Sequence, residues 1–339
     1  MKRLALLLAI AALAQCKRVP EPAAHRSSEI APPPVTPATS AKASDLPGDG
    51  SPLSAVAPAQ PIGESDTLTS DAKAAGAIRF AVIGDFGSST PPEAQVANLV
   101  KGWHPDFLIT LGDNNYPAGE ATTIDANIGR FYAEFIGNYH GRHGPGSKTN
   151  RFWPSPGNHD WISRLVPYLE YFTLPGNERY YDVDLGSVHL YALDSDVNEP
   201  DGISADSRQA MWLKERLTAS KACFDIVYFH HPAYTTAAHG PTLAMRWPFR
   251  AWGAEAVLAG HDHTYERFLI DGIPYFVNGL GGEATYEFAG EPMPETKFRY
   301  NEQHGAMRVT ATPADITYEF FTIDGQKRDA FTFPGHCRN

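Results

Sequence analysis

Five short stretches built from metal-ligating residue types, in a fixed order, constrain the fold of this chain more than any other feature. They are Gly84-Asp85-Phe86-Gly87, Gly112-Asp113-Asn114-Asn115-Tyr116, Gly157-Asn158-His159-Asp160, Val227-Tyr228-Phe229-His230 and Gly260-His261-Asp262-His263. All but the third close an apolar, β-branched run, and so are expected at strand ends. In an α/β sheet such ends converge on one rim, where ligands bind. Carboxylates, imidazoles, one amide and one phenol gathered there read as a two-metal hydrolytic centre.

The remaining pattern fills in the frame. Strands are predicted over Ile78–Ile83, Phe107–Leu111, Phe224–Phe229, Ala256–Ala259 and Ile273–Val277. Hairpins are predicted for Tyr180–Leu185 with Val188–Leu193, turning at Gly186-Ser187, and for Met307–Thr312 with Ile316–Thr322. Helices are expected over Pro92–Lys101, around Ile128–Ile136, and over Ser207–Leu217 with Asp206 as N-cap. Strands alternating with helices early and hairpins late imply a mixed α/β fold of two packed mixed β-sheets flanked by helices.

The chain has 339 residues and a formal net charge of −11, which argues against general nucleic-acid binding. A negatively charged substrate stays open, because bound cations would dominate the local field. Lys2 and Arg3 precede an apolar run from Leu4 to Ala14, about 11 residues and typical of an export signal. It is well short of the ~20 residues that cross a bilayer. Leu13-Ala14-Gln15-Cys16 then resembles a bacterial lipobox with Cys16 as the lipidated residue, although Gln15 stands where a small residue is usual. Ordinary signal cleavage is the alternative. Residues 1–16 are thus expected to export the protein, as a periplasmic or outer-membrane-tethered lipoprotein or a secreted protein.

From residue 17 to 76 the chain is rich in Pro, Ala, Ser and Thr and reads as a disordered tether, since it buries too little apolar surface to offset its ordering entropy. About 60 such residues would span roughly 40 Å r.m.s.. Residues 77–339 are expected to form the folded domain, which at that size buries about 70–75% of its surface without disulfides. Cys223 and Cys337 would pair only if the fold brings them together in an oxidising compartment.

Each motif offers chemistry of its own. In Gly84-Asp85 and Gly112-Asp113 the glycine lets the chain turn while the carboxylate projects beyond the sheet, and one of the two can bridge a pair of cations. Tyr116 stands three residues after Asp113, within reach of the same ion. A phenol has a reference pKa of about 10 and ligates only where a strong Lewis acid removes its proton. His261 and His263, one residue apart, can face different ions. Asn158 offers a neutral amide oxygen, and His230 would complete a second ion's shell. His159, next to Asn158, is placed to donate a proton to a leaving group without binding a metal.

In order, type and spacing these motifs resemble the purple acid phosphatases within the calcineurin-like metallophosphoesterases, over nearly all of residues 78–278. General metallophosphoesterases carry a histidine two residues after the first aspartate, where this chain has Gly87, and Tyr116 appears instead. His239-Gly240-Pro241-Thr242, nine residues after His230, is similar to the small single-domain, tartrate-resistant animal enzymes, and Tyr265–Arg267 to the plant ones. The resemblance implies a metallophosphoesterase sandwich and a small phosphorylated substrate. It implies Fe(III) on Asp85, Tyr116 and His263, with Asp113 bridging. A divalent ion, Fe(II), Zn(II) or Mn(II), would sit on Asn158, His230 and His261. The two ions, roughly 3.5–4 Å apart, would generate a hydroxide nucleophile. His159 and His239 would contact the phosphate and the leaving oxygen. The protein is expected to act as a monomer on phosphate monoesters. A phosphodiesterase or nucleotidase on the same centre, and a non-catalytic surface protein keeping the fold, are the alternatives.

Neighbouring residues carry weaker expectations. His231 is expected beside the site or facing solvent, without binding a metal. Asp160 would orient His159 or cap the segment beginning at Trp161, and Asp262 would be structural. Asn278-Gly279-Leu280-Gly281-Gly282 either lines the pocket floor or forms a plain turn. His140, Arg142, His143 and Lys148 are expected in a solvated basic loop.

Overall fold

β-Branched and aromatic runs supply the strands. In chain order these are β1 (Ile78–Ile83), β2 (Phe107–Leu111), β3 (Phe152–Ser155), β4 (Tyr181–Leu185), β5 (Val188–Ala192), β6 (Phe224–Tyr228), β7 (Ala256–Ala259), β8 (Tyr265–Ile270), β9 (Ile273–Asn278), β10 (Thr296–Tyr300), β11 (Gly305–Ala311), β12 (Asp315–Thr322) and β13 (Lys327–Pro334). The computed structural model describes residues 76–337. The export segment, Cys16 and the tether up to residue 75 lie outside the described residues.

The strands form a six-stranded sheet, β13-β12-β11-β1-β2-β3, and a seven-stranded sheet, β10-β8-β9-β7-β6-β5-β4. Strands β1, β2 and β3 run parallel to one another, as do β5, β6, β7 and β9, while the remaining pairs are antiparallel. Both sheets are therefore mixed. The parallel strands β2, β6, β7 and β9 are buried along their whole length. That explains why they read as near-continuous apolar runs, broken by Thr110, Asp225 and Asn278, in place of alternating ones.

One core joins the sheets, with Phe80, Val82, Ile109 and Val309 from the first packed with Ile226, Tyr228, Leu258 and Phe276 from the second. Two buried tyrosines and an asparagine stitch the same interface. Tyr181 Oη donates to Pro154 O at 2.7 Å, Tyr228 Oη to Trp153 O at 3.1 Å, and Asn278 Nδ2 to Val82 O at 3.1 Å.

The helices are α1 (Pro91–Gly102), α2 (Arg130–Tyr132), α3 (Asn158–Ile162), α4 (Val166–Tyr171), α5 (Arg208–Ala219) and α6 (Phe249–Trp252). α1 buries Val96, Ala97 and Val100 in the main core. α5 and α6 cover the seven-stranded sheet's other face through Leu213, Leu217 and Phe249 against Val227, Phe229 and Val257. The helical stretch expected around residue 128 is three short pieces, a π-turn over Asp125–Gly129, then α2, then a 3₁₀ turn over Ala133–Phe135. The cap of α5 is Ser207, not Asp206, because Ser207 has extended backbone and its hydroxyl accepts from Ala210 N. Cys223 and Cys337 form a disulfide that ties the chain's last described residue to the start of β6.

Candidate metal centre

Parallel pairing puts the ends of β1, β2 and β3 on one rim, and the ends of β6 and β7 meet them there. The third motif also follows a strand, β3, and Gly157 is the N-cap of α3. Asp85, Asp113 and His261 all have left-handed backbone, φ 56°, 50° and 71°. Non-glycine residues there carry strain, which proteins concentrate at working sites.

The structure brings seven of the sequence-predicted residues into two abutting groups. In the first, Tyr116 Oη lies 3.0 Å from Asp113 Oδ2, 3.2 Å from His263 Nε2 and 3.4 Å from Asp85 Oδ1. In the second, His230 Nε2 lies 2.9 Å from Asn158 Oδ1, 3.1 Å from His261 Nδ1 and 3.3 Å from Asp113 Oδ2. Asp113 Oδ2 belongs to both. Donors about 2.1 Å from an ion are about 3.0 Å apart on an octahedral edge and about 3.4 Å on a tetrahedral one. The observed spacings match, so both cradles fit a cation.

Four of the aiming groups are fixed by a backbone partner on the far side. Asp85 Oδ2 accepts His261 N–H and Asp113 Oδ1 accepts His159 N–H, both at 2.9 Å, which leaves the other oxygen facing inward. His230 Nδ1 donates to Leu111 O at 2.8 Å and His263 Nδ1 to Ala284 O at 2.6 Å, so Nε2 is the nitrogen each ring aims inward. Gly87 explains the displaced donor. A Cβ there would lie 1.7 Å from Asn114 O, so no histidine fits on this backbone.

The electrostatics also call for positive charge. Burial disfavours the charged form of His230, but Asp113 outweighs it and holds the imidazolium up to about 10. Burial works against the Asp113 anion too, yet His230 drives that carboxyl below its usual range. Burial, then Asp113 and Asp85, push the Tyr116 phenol well above its ordinary value. Burial, then His230, hold His261 neutral, with its lone pair available.

His159 and His239 flank the centre. His159 Nδ1 is 2.6 Å from Pro117 O, and its Nε2 stands 3.9 Å from Asp113 Oδ2. The His239 ring stacks on His261 at 4.3 Å. A cavity of about 600 Å³ opens beside Tyr116, His159 and His263, with Thr90, Thr123 and Tyr286 in its walls. Tyr286, which no motif marks, stacks on His263 at 4.0 Å.

For the neighbouring residues the structure selects among the expected alternatives. Asp160 does not touch the His159 ring. Its Oδ2 accepts from Gly157 N at 2.9 Å and from Asn114 Nδ2 at 2.9 Å, capping α3 and tying the third motif to the second. His231 is not turned to solvent. Its Nδ1 meets Ser195 Oγ at 2.9 Å and its ring lies 4.5 Å from His261, so a ring nitrogen falls within 4.8 Å of ring nitrogens of His230 and His261. The glycine turn after β9 packs closely behind the motifs and is not among the residues lining the cavity. A Cβ on Gly279 would come within 2.3 Å of Asp262 O and 2.8 Å of Asp85 Oδ2. The basic loop is pinned outside the cavity by Asp125, which accepts from Arg142 N at 2.9 Å.

Two packed mixed sheets with paired cation cradles at their shared rim define a metal-dependent phosphoesterase. Residues 78–265 match the calcineurin-like phosphoesterase family, and the chain belongs to it. The chain is similar to tartrate-resistant acid phosphatase type 5 of Rattus norvegicus, 28% identical over 246 residues, 61% of this chain and 73% of that one. It is 24% identical to purple acid phosphatase 17 of Arabidopsis thaliana over 303 residues, 78% of this chain and 86% of that one. Among solved structures, purple acid phosphatase PPD1 from yellow lupin seeds shares the fold with a TM-score of 0.62 at 17% identity, over 76% of this chain and 54% of that chain.

Proposed function

We propose that this protein hydrolyses phosphate monoesters at a dinuclear Fe(III)–M(II) centre, where M is iron, zinc or manganese. Asp85, Tyr116 and His263 would hold the ferric ion, Asn158, His230 and His261 the divalent one, and Asp113 would serve both. The observation that carries this reading is the Tyr116 hydroxyl, set 3.0–3.4 Å from Asp113, His263 and Asp85. A phenol held so firmly protonated among anions becomes a ligand only for a strong Lewis acid, which favours a ferric ion over two divalent ones. When bound, the two cations supply Lewis acidity toward the phosphoryl oxygens and an activated water.

The protein's own residues do the rest. His159 is braced through Nδ1 on Pro117 O, which directs Nε2 inward to hand a proton to the departing oxygen. Its side chain is 31% exposed, so a substrate can reach it. His239, stacked on His261, would donate to a terminal phosphoryl oxygen, one that carries full charge in a monoester and is esterified in a diester. That difference supports monoesters over diesters. The Cys223–Cys337 disulfide supports an oxidising location, consistent with an exported protein, tethered through Cys16 or free, that acts as a monomer on a small phosphorylated substrate.

Metal analysis, a visible spectrum and turnover of an aryl phosphate test this together. Iron should be present with a ligand-to-metal charge-transfer band, and Tyr116→Phe should bleach that band while the fold survives. Iron-loaded protein without such a band would remove the ferric–phenolate assignment. Faster cleavage of a bis-aryl phosphate than of the matching monoester would move the function to a phosphodiesterase.

A further inference from the structure

His239 lies at the tip of the segment between β6 and α6. Ala238 and His239 are exposed, but Thr235 and Thr236 just before them are buried at 4% and 8% exposure. Beneath the tip lie two carboxyl groups, Asp262 and Glu266, in residues of 0% exposure. Burying two such groups is costly unless donors satisfy them. Thr235 Oγ1 stands between them, 2.7 Å from Asp262 Oδ2 and 2.8 Å from Glu266 Oε1. Thr236 donates its amide to Glu266 Oε1 at 2.9 Å and its hydroxyl to Glu266 Oε2. Asp262 Oδ1 then accepts the His239 amide at 2.9 Å.

The strap extends to the next wall of the site. Thr236 O accepts the amides of Ala289 and Gly290 at 3.2 and 3.1 Å. Arg299 of β10 lies 3.9 Å from Glu266 Oε2, with its guanidinium 3.8 Å over the Phe288 ring. No proposed metal-ligating atom takes part, although Asp262 stands between His261 and His263. What the network fixes is the backbone that carries His239, and through it the ring that stacks on His261 and meets the edge of Tyr286 at 5.1 Å.

We propose that Thr235 and Glu266 are positioning residues that set His239 against the phosphoryl end of the substrate. This rests on the phosphatase reading above. Thr235→Val keeps the side chain's shape and removes the hydroxyl that both carboxyl groups share, so the strap slackens where His239 hangs from it. A misplacement of ~1 Å costs up to ~10²-fold in rate.

The test is a double-mutant comparison on the metal-loaded protein, read as kcat/KM for an aryl phosphate and as binding of inorganic phosphate by calorimetry. Thr235→Val should lower kcat/KM about tenfold or more and weaken phosphate binding, within the range that misplacement gives. Thr235→Ser should restore both. In a His239→Ala background the same Val substitution should change kcat/KM by less than about twofold, because the group it positions is gone. Equal losses in both backgrounds, or a Val variant indistinguishable from wild type, would overturn the proposal. If Thr235→Val does not fold, Thr236→Val, which removes the other hydroxyl on Glu266, carries the same comparison. A wild type without monoester turnover would sink the phosphatase reading alone. The strap is then decided by the His239 ring NMR signals, which should shift or broaden in the Thr235→Val variant and would stay unchanged if the strap does not hold the ring.

Discussion

Glu93 gives the sharpest quantitative expectation. It lies in the first turn of α1 with no exposed surface, and its Oε2 accepts the amides of Ser88 and Ser89 at 3.2 and 2.6 Å. These residues lead into the cavity wall at Thr90. Its Oε1 is buried without a partner, as is the hydroxyl of Tyr132. Burial raises the carboxyl from 4.5 to about 9, against the two amides and Arg130, which favour the anion. Between those values the folded protein holds a proton that the unfolded chain has released. The resulting stability is fully present below about pH 4.5 and is lost as pH rises toward 9, at about 1.4 kcal/mol per unit. From pH 5 to pH 8 that amounts to about 4 kcal/mol. Glu93→Gln copies the neutral acid, its carbonyl still accepting both amides, but does not titrate. Urea melts of both proteins in the same metal state should agree within about 1 kcal/mol at pH 5 and favour the glutamine variant by about 4 kcal/mol at pH 8. Other titrating groups are common to both and cancel in the difference. A difference that stays flat across this window would refute the buried neutral carboxyl.

Two further outcomes follow from the site and the disulfide. His159→Ala should keep both metals and lose turnover by ~10²–10⁴-fold, with smaller losses for substrates whose leaving group needs no proton; equal losses for good and poor leaving groups would contradict a proton donor. Cys223→Ser opens a covalent loop of sequence separation 114 and should cost about 4–5 kcal/mol on chain-entropy grounds, and an unchanged melting temperature would show that the bond does not stabilise the fold.

What the sequence made legible was what local pattern controls. β1 and β2 begin and end where their largely apolar runs do, because β2 throughout and β1 from Phe80 onward are buried, with Arg79 at the half-buried start of β1 and Thr110 in β2 the polar positions. The motif residues converge because parallel strands leave little choice of rim. β3 was hidden by Pro154 in a run of only four residues, and β8 because Glu266 and Arg267 interrupt it. Those polar residues are satisfied by partners distant in sequence, Thr236 and Asp329, which no local window contains. The same holds for the site. Its ligand types were legible, but the carbonyls of Leu111, Ala284 and Pro117 that orient the imidazoles carry no side-chain signature. Glu93 was within reach, since Thr90-Pro91-Pro92-Glu93 has the threonine-to-glutamate spacing of a capping box.

The cradles are divided between the two sheets, and this bears on how the protein is made and unmade. Asp85, Asp113, Tyr116 and Asn158 follow strands of the six-stranded sheet, and His230, His261 and His263 follow strands of the seven-stranded one. Tyr116 and His263 are 147 residues apart in the chain, and Asp85 and His261 are 176 apart. During synthesis the carboxylates and phenol emerge long before any of the three histidines, so neither cradle exists on a partial chain. Contacts of such long range close slowly and late. A cation that recognised only the joined sheets would bind after the folding barrier had been crossed and would strengthen the native side alone. It would act as a clasp on sheet separation, and its loss would show in how fast the protein comes apart, with little effect on how fast it forms.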